Sequence, residues 1–88
     1  MTPKDLIYLI EEVLEKKLDI NEDSTLFGNG EIDSMSLVQI CLKLEEEAEK
    51  HNFEFDWTSE KAMSKMNSMF KTVKTLTEEF NTQRENGK

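Results

Sequence analysis

Residues 33–51 read DSMSLVQICLKLEEEAEKH, and the spacing of their apolar side chains decides the fold. At about 100° per residue, Leu37, Ile40, Cys41, Leu44 and Ala48 share one side of a helical wheel. That stripe predicts a helix with a buried face, and Asp33 just ahead of it is a strong N-cap. Met35, Val38 and Leu42 fall mostly on the far side, ringed by Glu45, Glu46 and Glu49. A helix with one buried stripe is normally polar opposite it. An apolar far face with an acidic rim is instead the pattern of a docking surface, or of a seat beneath another element. The bland alternative is that Met35 and Val38 pack under the loop preceding the helix.

Upstream, Leu6, Ile7, Leu9, Ile10, Val13, Leu14 and Leu18 recur at three and four residues, predicting a helix over 3–17. Thr2 suits its N-cap, Pro3 its first position and Asp5 its first turn. Residues 18–33 lack a helical period and are punctuated by Asn, Asp, Ser and Gly. They predict a long loop that packs onto the core through Leu18, Ile20, Leu26, Phe27 and Ile32. A loop of this length in a compact domain is usually functional. Downstream, Phe53, Phe55 and Trp57 alternate with acids over too few residues for a strand, so an extended connector is expected. Residues 59–67 predict a short helix with Ala62, Met63 and Met66 inward. Thr72 can cap a last helix over 73–84, with Val73, Leu76 and Phe80 on one face. The fold class is all-α: a small four-helix bundle of three main helices and a short third, forming one domain over 1–88.

The 88 residues carry 11 Lys and Arg against 19 Asp and Glu, a formal net charge of −8. Such a chain repels phosphate backbones and anionic membranes, which argues against nucleic acid and favours basic protein partners. The single cysteine, Cys41, forms no internal disulfide, and no apolar run approaches the ~20 residues of a membrane span. The start Met1-Thr2-Pro3-Lys4-Asp5 lacks the pattern of a signal peptide, so a cytoplasmic monomer is expected.

Side chains suited to catalysis are scarce. His51, the one histidine, falls at the end of the second helix, where it suits the helix dipole. Cys41 lies on the core stripe and reads as inert filler. Asp19-x-Asn21-x-Asp23 begins like a calcium loop, but Ser24 stands at its sixth position and Gly30 at its twelfth, removing the sharp turn and the bidentate ligand. Gly28-x-Gly30 follows no expected strand and reads as turn chemistry. Ser34 has no base nearby in sequence. These features predict a non-enzyme with no metal site. Ser34 itself sits where unpaired amides and the positive dipole end favour an anion on its side chain; read alone, Asp33-Ser34 is also an ordinary helix start.

Taken with its context, Gly30-Glu31-Ile32-Asp33-Ser34-Met35-Ser36-Leu37 resembles the acyl carrier proteins, whose pattern is Asp-Ser-Leu at the start of the second helix of a four-helix bundle. The resemblance extends through Val38, Gln39 and Leu42–Glu47, takes in Phe27-Gly28 before the motif and Thr72-Val73 with Leu76 after it, and covers residues 3–84. It implies that Ser34 receives 4′-phosphopantetheine from coenzyme A through a separate phosphopantetheinyl transferase. The arm's thiol would hold an acyl group as a thioester for acyl-transferring and acyl-modifying enzymes of fatty-acid or related biosynthesis. Asp33 would help present the serine. Met35, Val38 and Leu42 would meet partner enzymes, with Glu45, Glu46 and Glu49 facing their basic patches. Met35 stands where leucine is usual, Gln39 where an acid is common, and Phe53–Trp57 is unusually aromatic. The pathway therefore stays open among fatty-acid, aminoacyl or D-alanyl, and polyketide or peptide carriers, beside an acidic docking adaptor with no prosthetic group.

Overall fold

A computed structural model describes residues 1–26, 32–64 and 66–86, apart from the side chains of residues 66 and 67. Five helical segments follow one another: α1 (Pro3–Leu14), α2 (Ser34–Lys50), α3 (Glu60–Ser64), α4 (Met66–Met69) and α5 (Val73–Asn86). Among the described residues there is no strand, only an isolated bridge between Thr25 and Thr72. No helix is long and apolar enough to cross a membrane among those residues. The described residues are mostly helical, with α1 packed against both α2 and α5.

Each long helix begins on a side-chain cap. Thr2 and Asp5 cap α1 reciprocally: Asp5 N–H donates to Thr2 Oγ1 at 3.1 Å and Thr2 N–H to Asp5 Oδ2 at 3.0 Å. Thr75 N–H donates to Thr72 Oγ1 at 3.1 Å at the head of α5. The core comprises Leu6, Leu9 and Ile10 from α1, Leu37, Ile40, Cys41, Leu44 and Ala48 from α2, and Val73, Leu76 and Phe80 from α5. The buried stripe expected for residues 34–51 is thus present in full.

The end of α1 differs from expectation. The helix stops at Leu14 rather than near residue 17, because Glu15 turns left-handed with φ 55°. Lys16 N–H then reaches back to Glu11 O at 3.2 Å and Glu15 N–H to Glu12 O at 3.3 Å, the paired bonds of a Schellman ending. Leu18 N–H donates to Glu11 Oε2 at 2.9 Å, folding the following chain back against the helix.

The loop after α1 is anchored to the start of α5. Leu26 N–H donates to Lys71 O at 3.2 Å, while Val73 and Lys74 N–H donate to Ser24 O at 3.2 Å and Glu22 O at 2.9 Å. Loop carbonyls therefore satisfy first-turn amides of α5 that the helix itself leaves unpaired. Leu26 and Ile32 are buried, and Leu18 and Ile20 half-buried. Phe27 and the Gly28-x-Gly30 turn lie outside the described residues.

A second Schellman ending closes α2. Asn52 takes φ 63°, Phe53 N–H donates to Ala48 O at 3.1 Å, and Asn52 N–H donates to Glu49 O at 3.1 Å. The reversal lays the connector onto α5, where Phe53 and Phe55 flank Phe80 with ring centroids 5.1 and 5.6 Å apart. Gln83 fastens it: Asp56 N–H donates to Gln83 Oε1, and Gln83 Nε2 donates to Asp56 O at 2.8 Å.

The short helix expected over 59–67 falls on α3 and α4, which flank residue 65 outside the described residues. Met63, expected inward, is 55% exposed. At five residues α3 makes little more than one turn, and only Ala62 faces in; Met69 and Phe70 supply the packing instead. The side chain of Met66 lies outside the described residues.

A non-glycine residue in the left-handed region is disfavoured by about 1–2 kcal/mol. Glu15→Gly should therefore raise stability by roughly 1 kcal/mol, read as a higher urea midpoint with unchanged slope. A lower midpoint would contradict the assigned ending of α1.

Candidate functional site

The site is built on the first turn of α2. Asp33 sits ahead of the helix in extended backbone, and its Oδ1 accepts from Ser36 N–H at 2.8 Å. That bond holds the Asp33 carboxyl below the ordinary carboxylate range. Asp33 O also accepts the first helical bond, from Leu37 N–H at 3.0 Å. The cap is thus Asp33, and Ser34 is the first helical residue. Ser34 is exposed, and its hydroxyl makes no hydrogen bond among the described residues. The serine expected as the point of attachment thus has no hydrogen-bond partner for its oxygen among the described residues, beside the amides that the first turn of a 17-residue helix leaves unpaired.

The far face of α2 is open. Met35 is 70%, Val38 40% and Leu42 50% exposed. At 1.5 Å per residue, Leu42 lies about 12 Å along the helix from Ser34. A cleft of about 400 Å³ surrounds it, bordered by Val13 of α1 and by Glu46 and Glu49.

Glu45 borders the same cleft, and the three glutamates of the rim differ in what they touch. Glu45 is half-buried and accepts from Trp57 Nε1 at 2.7 Å, so it ties the connector to α2. Glu46 pairs with Lys43 at 3.4 Å, and Lys43 also lies 4.0 Å from Glu12 of α1. Glu46 and Glu49 are exposed. The Trp57–Glu45 bond escaped sequence reasoning because it spans twelve residues with an irregular connector between.

Other candidates are placed without chemistry. Cys41 is buried, and burial with the nearby Glu45 charge pushes its thiol up to about 12, far from a reactive thiolate. His51 is the exposed C-cap of α2. In the loop resembling a calcium site, Asn21 Oδ1 accepts from Asp23 N–H at 2.9 Å and Ser24 Oγ from Asn21 N–H at 2.9 Å, so both oxygens serve the loop's own turn. No cluster of metal-ligating side chains occurs among the described residues.

No protein-family model, curated protein or solved structure matches the chain.

The geometry at Asp33 sets an acid limit. Because its carboxyl titrates lower in the fold than in the unfolded chain, the cap stabilises above the ordinary carboxylate range and is lost as pH falls through the folded value. Asp33→Ala should lower the denaturant midpoint at neutral pH, with less difference from the native chain in acid. Equal destabilisation at both pH values in denaturant titrations would contradict the cap.

Proposed function

We propose that this chain is a non-catalytic carrier of the acyl carrier type, a four-helix bundle that bears 4′-phosphopantetheine on Ser34. One observation carries the reading: the Ser34 hydroxyl is exposed and unbonded among the described residues, because Asp33 performs the capping. A residue modified by another protein's active site must be reachable, and this one is. The residues present fit the group. A phosphodiester on Ser34 Oγ lies where helix amides and the dipole stabilise an anion. When bound, phosphopantetheine supplies a terminal thiol that carries an acyl group as a thioester.

The chain's own residues do the rest. Asp33 holds the helix start in register with Oδ1 on the Ser36 amide, leaving the Ser34 hydroxyl as the acceptor of the phosphopantetheinyl group. The serine proton passes to the transferase, and adenosine 3′,5′-bisphosphate leaves from coenzyme A. Met35, Val38 and Leu42 offer partner enzymes an apolar strip, and Glu46 and Glu49 steer their basic patches toward it. The pathway remains fatty-acid or related biosynthesis, with aminoacyl, D-alanyl, polyketide and peptide pathways as alternatives; the expected setting is cytoplasmic.

The same strip also suits an acidic docking adaptor without the group. Incubation with coenzyme A and a broad-specificity phosphopantetheinyl transferase separates the two. The intact mass of the native chain should rise by one phosphopantetheine, and Ser34→Ala should not change. A native mass that never moves across several transferases favours the adaptor.

Reversing Glu46 and Glu49 together to lysine should slow modification several-fold, most at low salt, while helical circular dichroism persists. Unchanged rates would remove these two residues from the docking surface.

A further inference from the structure

The three glutamates around the Leu42 cleft are held in different ways. Glu46 pairs with Lys43 at 3.4 Å, and Glu49 is exposed. Glu45 is pinned, because Trp57 Nε1 donates to its Oε1 at 2.7 Å. The pin is itself anchored: the Trp57 ring packs on the core, and Asp56 just before it pairs with Gln83 of α5 through its N–H and C=O. Glu45 also stands where two clefts meet. It borders the one of about 400 Å³ around Val13 and Leu42, and a second of about 460 Å³ beside Glu54, Phe55 and Asp56 of the connector. Lys43 is the one cation among the described residues that line either cleft, and it already faces Glu46 and Glu12.

We propose that Trp57 is a positioning residue for docking: its indole holds Glu45 as the fixed acidic contact on which a partner's lysine or arginine seats, while an apolar side chain of that partner enters the Leu42 cleft. The proposal rests on the docking surface of the carrier reading and names its anchor. An exposed ion pair gains little, because ordering two long side chains offsets their attraction. A carboxylate fixed before the partner arrives avoids its own share of that cost. Lys43 offsets the charge of Glu46, whereas the neutral indole orders Glu45 and leaves its charge in place. A carboxylate accepts about four hydrogen bonds, so one indole leaves positions for a cation. Leu42 and Glu45 lie three residues apart on α2 and adjoin on its surface, so one partner segment with an apolar and a basic side chain on one face reaches both.

The test is a double-mutant cycle read on docking. A broad-specificity phosphopantetheinyl transferase with coenzyme A acts on the native chain, Trp57→Phe, Glu45→Gln and the double variant. Trp57→Phe keeps an aromatic ring and loses the donor; Glu45→Gln keeps an acceptor and loses the charge. Each single variant should raise the KM for the chain roughly three- to five-fold with kcat unchanged, and the double variant should be no worse than Glu45→Gln alone. A loss from Trp57→Phe that persists beside Glu45→Gln would reduce Trp57 to a fastening of the connector and overturn the proposal. So would no loss, or a gain, in the native background. The native chain gives a reading that needs no variant to fold: the Trp57 indole proton should stay protected from solvent exchange when transferase is added. Fast exchange in the complex would mean that the partner takes Glu45 away from Trp57, which also overturns the proposal. If no transferase modifies the native chain, the carrier reading fails on its own, and the cycle is read instead by fluorescence anisotropy with a labelled amphipathic Leu/Lys helical peptide. The same non-additive pattern upholds the positioning role there; additive losses, or no binding to the native chain, overturn it.

Discussion

One hydrogen bond, from Ser36 N–H to the Asp33 carboxylate, fixes where α2 begins. Everything functional on that helix is counted from it. With the cap at Asp33, Ser34 enters the helix exposed and with its oxygen unbonded among the described residues, while Leu37, Ile40, Cys41 and Leu44 turn inward on the helical period. Were the cap one residue later, the serine oxygen would be engaged with the backbone, and a carrier would have nothing to offer a transferase. The same register sends Met35, Val38 and Leu42 to the surface, so the apolar strip starts beside Ser34 and runs away from it.

The rest of the molecule holds that helix still. α1 packs along it, with Lys43 shared between Glu46 of α2 and Glu12 of α1. The loop after α1 gains order by feeding its carbonyls to the first turn of α5. The connector gains it from two directions, since Phe80 and Gln83 of α5 hold one side and Glu45 of α2 the other. A small core can hold these irregular segments because their polar groups are satisfied: no buried side-chain nitrogen or oxygen lacks a partner among the described residues.

How much of this was legible in the sequence follows from the range of each interaction. The stripe of α2 and the caps Thr2, Asp33 and Thr72 depend on neighbours within a turn, and all stand as read. The exposed hydroxyl of Ser34 was legible as a first-turn position, though only the geometry at Asp33 separates it from a capping serine. The early stop of α1 was not, because glutamate is an unusual residue for a left-handed ending; Asn52, which ends α2 in the same way, is a recognised signal for one. Met63 was misplaced because periodicity says nothing reliable about a five-residue helix. The engagement of Glu45 by Trp57, and of the loop by α5, depends on packing between distant segments that no local pattern encodes.

The central claim is that Ser34 is held in the open so that another protein can tether a phosphodiester-linked arm to it. The most direct measurement is intact and fragment mass spectrometry of the protein isolated from the cells that make it. The account predicts a chain carrying phosphopantetheine, with or without an acyl load, localised to the peptide containing Ser34. A bare Ser34 throughout the isolated protein, with no arm ejected on fragmentation, would contradict it.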